Sequence, residues 1–240
     1  MNPKSAAFIE IESSWLDDNS DHCGTLPIEL AQAVAEQLHR PYGGPGYAIL
    51  QGSTVNLGLY QTRAFQVALL RAVWEDMVRR RWVRHSPEEV RLKKFEAADG
   101  KLPREIVGDV TTFKRLHFDP FSLIFAHLYE ATRNLTGGIV SLVDVDSYLR
   151  DSSHTLNEVF EPLYAPGHNG RLVAKDEHRE PMLRAYAHNV DPPRSGDLLL
   201  LIVRNDPSAG VAHEIGQVFA VDPALPTKRQ FYRASIAPHH

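Results

Sequence analysis

Six short apolar runs punctuate the second half of the chain, at 123–129, 138–145, 183–190, 197–203, 211–221 and 231–236. Clusters of Gly, Pro, Asn and Asp separate them. Runs of this length bounded by turn formers read as strands, and a series of them favours an antiparallel barrel or sandwich over any helical architecture. The run Leu198-Leu199-Leu200-Leu201-Ile202-Val203 is apolar at every position, without polar alternation. A strand of that kind is covered on both faces, so the sheet that holds it needs a layer outside it.

The first third of the chain can supply that layer. Ile28, Ala31, Val34, Ala35 and Leu38 recur at helical spacing, behind an N-cap at Thr25 and a first-turn Pro27, and Pro41 with Gly43-Gly44 ends the pattern. Phe65, Leu69, Ala72, Val73 and Met77 mark a longer amphipathic helix over about 59–83. Short strands are expected at 6–11 and 47–51. After Ser86-Pro87, residues 90–97 alternate apolar with charged side chains up to a turn at Asp99-Gly100. The expected organisation is a single domain over 1–240, with a helix-rich support at 1–86 and a β-barrel core at 87–240. Residues 146–180 have little periodicity and carry Pro162, Pro166, Gly167 and Gly170, so they are expected to form an irregular insertion and a lid.

Composition removes several function classes. A net charge of −4 gives no basic footprint for nucleic acid, and the Arg79-Arg80-Arg81 cluster reads as a solvated helix end. Cys23 is the single cysteine, which leaves no disulfide framework and no thiolate cluster. No apolar stretch approaches the ~20 residues of a membrane span, and the N-terminal residues lack a secretory pattern, so a cytoplasmic protein is expected.

Chemistry enters at His117-Phe118-Asp119. Residues two apart on an extended chain point the same way, so an imidazole and a carboxylate can share one ion, and Pro120 would end the strand there. A third nitrogen from a distant strand would complete a two-His-one-carboxylate face of the kind that holds non-haem Fe(II) with open positions. His213, in Val211-Ala212-His213-Glu214-Ile215, is the best candidate. It follows the buried 198–203 run through a turn at Asn205-Asp206-Pro207, whereas His168, His178 and His188 lie in or near the irregular segment.

Together, His117-Phe118-Asp119, the strand Gly196 to Leu200, His213 and Arg233-Ala234-Ser235 resemble the Fe(II)/2-oxoglutarate-dependent dioxygenase superfamily, over roughly the last 150 residues. The resemblance implies a mainly β fold with flanking helices, a double-stranded β-helix of jelly-roll or cupin-like form. It implies that His117, Asp119 and His213 bind Fe(II) and act through it. Arg233 would then grip the distal carboxylate of the co-substrate 2-oxoglutarate, with Ser235 donating a further hydrogen bond. A guanidinium suits that task because it offers two parallel donors and keeps its charge. Twenty positions separate His213 from Arg233, with Pro223 and Pro226 between them, and Arg229 competes for the same role on the same strand face.

The implied reaction consumes O2 and converts 2-oxoglutarate to succinate and CO2 while oxidising a substrate. Asp119 stands where related halogenases have Gly or Ala, which disfavours halogenation. Hydroxylation, desaturation, ring closure and epimerisation stay open. The expected substrate is a small polar metabolite, an amino acid or a natural-product intermediate. Asp146, Asp151, Glu158 and Glu161 suggest an amine on that molecule. Two alternatives remain: a cupin-type metal enzyme that does not use 2-oxoglutarate, and a non-catalytic β-sandwich binding module.

Overall fold

The structure is a computed structural model that describes residues 8–9, 28–39, 43–52, 54, 57–99, 115–119, 122–163, 171–191, 194–203 and 210–239. The expected Thr25 cap, the Pro120 stop and the 205–207 turn lie outside these residues.

In chain order the elements begin with β1 (Phe8–Ile9), α1 (Ile28–Leu38), β2 (Tyr47–Leu50), α2 (Leu59–Arg79) and β3 (Val90–Asp99). Then come β4 (His117–Phe118), β5 (Ile124–Arg133), β6 (Leu135–Gly137), β7 (Val140–Asp144), α3 (Val145–Ser152) and α4 (Leu156–Val159). They continue with β8 (Phe160–Leu163), β9 (Arg171–Ala174), α5 (Asp176–Ala185) and β10 (Ala187–Val190). The last four are β11 (Leu198–Ile202), β12 (Val211–Ile215), β13 (Val218–Ala220) and β14 (Lys228–Pro238).

Two six-stranded sheets face each other, ordered β1-β2-β11-β5-β14-β3 and β10-β7-β12-β4-β9-β8. Along the chain, β3, β4, β5 and β7 alternate between the first and second sheet, and β10, β11, β12 and β14 retrace the alternation starting from the second. Each later strand lies beside earlier ones: β10 on β7, β11 on β5, β12 on β4 and β7, β14 on β3 and β5. That winding is the double-stranded β-helix, a jelly roll whose interior lies between the sheets.

Helices α1 and α2 cover the outside of the first sheet. α1 buries Leu30, Ala31, Val34, Ala35 and Leu38, the spacing expected of one apolar face. The long helix ends at Arg79, four residues before the sequence pattern does. Its buried Gln66 donates from Nε2 to the carbonyls of Ala126 (2.6 Å) and Tyr232 (2.9 Å), tying α2 to β5 and β14. Arg63 reinforces this by donating from Nη2 to Glu130 Oε2 at 2.9 Å.

The 146–180 segment differs from expectation. Its described residues carry α3, α4, β8, β9 and the start of α5, and β9 pairs with β4, so it extends the second sheet. Prolines and glycines hid this, because β8 and β9 are only four residues each and α4, just before them, is equally short. The 183–190 run also divides, its first residues ending α5 and only Ala187–Val190 forming a strand. The Pro-containing stretch between His213 and Arg233 includes β13, which pairs with β6 in a small separate sheet.

Leu200 is fully buried at the centre of β11, in register with Ala48 on one side and Ala126 on the other. Leu200→Ala is expected to cost about 2–5 kcal/mol, with a cavity left because its two neighbours are already small; chemical denaturation measures it.

Candidate metal centre

One row of the second sheet organises the site. His117 is in register with Val173 of β9 on one side and with His213 of β12 on the other, and His213 is in register with Leu142. Residues in register share a face, so both imidazoles point between the sheets. Asp119 follows two positions after His117 on that face. His117, Asp119 and His213 are all buried, and their donor atoms lie within 4.8 Å of one another, a group able to hold a metal ion.

The tautomers suit this. His117 Nδ1 lies 2.7 Å from the Arg115 carbonyl, which accepts its proton and leaves the Nε2 lone pair for a ligand. His213 Nε2 stands 3.6 Å from Asp119 Oδ2, and its Nδ1 is sealed from solvent without a hydrogen-bond partner. Burial lowers the pKa of both imidazoles, most strongly at His117, where His213 adds to the effect. Neutral imidazoles are the form that binds metals. Burial alone would raise Asp119, but His213, Arg233, His117 and Arg171 outweigh it and hold the carboxyl well below the usual carboxylate range. The donor set therefore fits a divalent ion in charge state as well as in type.

Two guanidiniums crowd the carboxylate. Arg233 Nη1 lies 3.1 Å and Arg171 Nη2 3.2 Å from the same oxygen, Asp119 Oδ1. Arg171 was not singled out from sequence, because it sits at the start of β9 in the segment read as a loop. Ser235 is buried on the Arg233 face, in register with Phe125. Arg229 is buried further along β14, its guanidinium 5.8 Å from the Tyr129 ring centre and hydrogen-bonded to that side chain. A β-bulge between Gln230 and Phe231 sets Arg229 opposite Thr132, whose Oγ1 is sealed without a hydrogen-bond partner.

His127 was also missed. It is in register with Arg233, touches the rings of Phe125, Tyr129 and Phe231, and its Nε2 is sealed without a partner. Its inward position follows from alternation on β5, a signal the sequence held. The rival histidines are placed elsewhere. His188 is in register with Leu142 and stacks edge-on to Tyr47, two strands from His213 and so ~10 Å away. His178 meets Tyr148 and His154 instead, and His168 lies outside the described residues.

No family model matches the sequence, and no curated protein matches it. The fold is similar to that of several solved structures. A bsmA homolog from Methylobium petroleophilum PM1 is 15% identical with a TM-score of 0.36, covering 76% of this chain and 54% of its own, so the chain spans about half of that protein. A taurine dioxygenase from Burkholderia xenovorans is 13% identical with a TM-score of 0.45, covering 98% and 89%. The iron and alpha-ketoglutarate-dependent endoperoxidase NvfI is 11% identical with a TM-score of 0.45, covering 81% and 79%. No helix among the described residues is long and apolar enough to cross a membrane.

The buried histidines predict a pH effect. Burial, followed by the nearby Arg233 charge, lowers the His127 pKa well below its ordinary 6.5, so in acid the unfolded chain binds a proton that the folded one refuses. Stability then rises with pH up to about 6.5 and is lost as pH falls below it. Thermal melting of the metal-free protein between about pH 5 and 7.5 is expected to show this slope, and His127→Asn is expected to make it shallower, with the remainder left by His117 and His213.

Proposed function

We propose that the protein is an Fe(II)- and 2-oxoglutarate-dependent oxygenase acting on a small molecule. The observation that carries this reading is the convergence of His117, Asp119 and His213 inside the barrel, with arginines on the neighbouring wall. In this role His117, Asp119 and His213 hold one face of the ion. A bound ferrous ion supplies the oxidative decarboxylation of 2-oxoglutarate by O2, coupled to oxidation of the substrate.

The chain's own residues do the rest. Arg115 holds the His117 ring through its carbonyl, and buried apolar walls including Phe125, Leu142 and Val173 exclude water from the reacting groups. Two residue sets can take the distal carboxylate of the co-substrate. Arg233 with Ser235 stands nearest the metal-binding face. Arg229 with Thr132 lies deeper, and the sealed Thr132 hydroxyl favours this second set, because a carboxylate there would accept its proton.

Anaerobic addition of Fe(II) and 2-oxoglutarate is expected to give a visible charge-transfer absorption, and aerobic incubation a slow release of succinate. Metal binding without 2-oxoglutarate binding would point to a cupin-type enzyme, and absence of metal binding to a non-catalytic module. His117→Ala is expected to lose at least the 10–100-fold in metal affinity that removal of an outer partner costs.

Arg229→Ala and Arg233→Ala separate the two carboxylate sets. The residue that grips 2-oxoglutarate is expected to lose about tenfold or more in its affinity with iron binding kept, since a hydrogen bond to a charged group is worth ~1.5–3 kcal/mol.

A further inference from the structure

We propose that His127 is a further co-substrate-binding residue, whose Nε2–H donates to an oxygen of 2-oxoglutarate. The inference rests on the metal-site reading above and adds to it a residue that neither the His-x-Asp motif nor the arginines of β14 point to.

Position comes first. His127 lies on the inner face of β5, in register with Arg233 of β14 on one side and with Leu199 of β11 on the other. Arg233 reaches the candidate metal face from that row, its Nη1 3.1 Å from Asp119 Oδ1. The His127 ring centre is 4.5 Å from that of Phe125, which lies 5.8 Å from that of His213. Followed the other way, past the bulge, β5 leads to Thr132 opposite Arg229. His127 thus stands on β5 between the level of Phe125 and His213 and the deeper of the two carboxylate sets.

Both paths open to the co-substrate pass this residue. A 2-oxoglutarate that starts at the metal and ends at Arg229 and Thr132 runs along β5 past His127. One that ends at Arg233 sets its distal carboxylate beside the in-register neighbour of His127.

The chemistry of the ring fits such a ligand. Its surroundings are the rings of Phe125, Tyr129 and Phe231, a setting that an apolar side chain would fill without loss. His127 instead leaves Nε2 sealed and without a hydrogen-bond partner. A sealed polar atom is costly unless something bonds to it, and most such atoms in folded proteins have a partner. Thr132 Oγ1 is stranded in the same way on the same strand, beside the other β14 arginine. The His127 residue as a whole is only partly buried, so space borders the ring, and rotation about the Cβ–Cγ bond, a soft torsion in histidine, can bring Nε2 to it. Burial and the Arg233 charge keep the imidazole neutral, with one N–H to give. Every oxygen of 2-oxoglutarate near neutral pH is an acceptor, so the imidazole is the donor.

The test is calorimetry of 2-oxoglutarate binding to the zinc-loaded protein and to three variants at His127. His127→Phe keeps a ring and removes the nitrogens, and it is expected to lose about tenfold or more in 2-oxoglutarate affinity. A glutamine amide reaches the position of Nε2, whereas an asparagine amide reaches only that of Nδ1. His127→Gln is therefore expected to recover most of the loss, and His127→Asn to behave like the phenylalanine variant. Zinc affinity, measured first on each protein, is expected to stay within about twofold throughout, which also shows that each variant is folded.

A phenylalanine variant that binds 2-oxoglutarate as the wild type does would overturn the proposal. So would a glutamine variant no better than phenylalanine, because ring packing and not the nitrogen would then set the affinity. Loss of zinc together with 2-oxoglutarate in all three variants would make His127 a support of the barrel instead. Failure of the wild type to bind zinc or 2-oxoglutarate would defeat the metal-site reading itself, and it is read before any variant is compared.

Discussion

The pairing of β12 with β4 is the contact on which the site depends. A single in-register pair, His213 with His117, brings together residues nearly a hundred positions apart. β4 is two residues long and cannot hold that register alone. It is fixed from both sides, by β9 through two pairs and by β12, which β7 pins over five. On the outer face of β12, Arg179 of α5 donates from Nε to Glu214 Oε2 at 2.7 Å, with a second contact between the same side chains. A slip of one residue would turn His213 outward and Glu214 inward, so the register is protected by the same pairing that creates the site.

Electrostatics gives this arrangement its cost. Three imidazoles, a carboxylate and three guanidiniums are enclosed between apolar walls, where an uncompensated charge is expensive. The carboxylate answers by staying ionised and pairing with two cations, and the imidazoles by staying neutral. None of this improves the core, since apolar residues of the same volume would pack there without desolvation. Charge gathered at one point among apolar side chains is the pattern that functional sites commonly show.

Much of this was legible beforehand. The 198–203 run announced a doubly covered strand, and it lies between β2 and β5 with helices outside. His-x-Asp and His213 were legible because alternation and strand order constrain them strongly. What stayed hidden lies where segments are too short for periodicity to accumulate. β9 has four residues, so Arg171 had no visible strand to belong to. Pairing, which sequence does not display, decided its face.

The bulge in β5 hid Thr132 for a different reason. Counted by simple alternation from Tyr129, Thr132 falls on the outward face with Leu128 and Glu130. The extra residue opposite the Gln230–Phe231 step resets the count, Glu130 turns out to Gln230 and Arg63, and Thr132 comes into register with Arg229. Arg229 and Arg233 thus share a strand and a face but not a setting. Arg233 sits opposite His127 beside His117, Asp119 and His213, while Arg229 sits past the bulge with Tyr129 and a buried hydroxyl. Parity leaves the two arginines equivalent; one inserted residue on the partner strand makes them different in depth and in company.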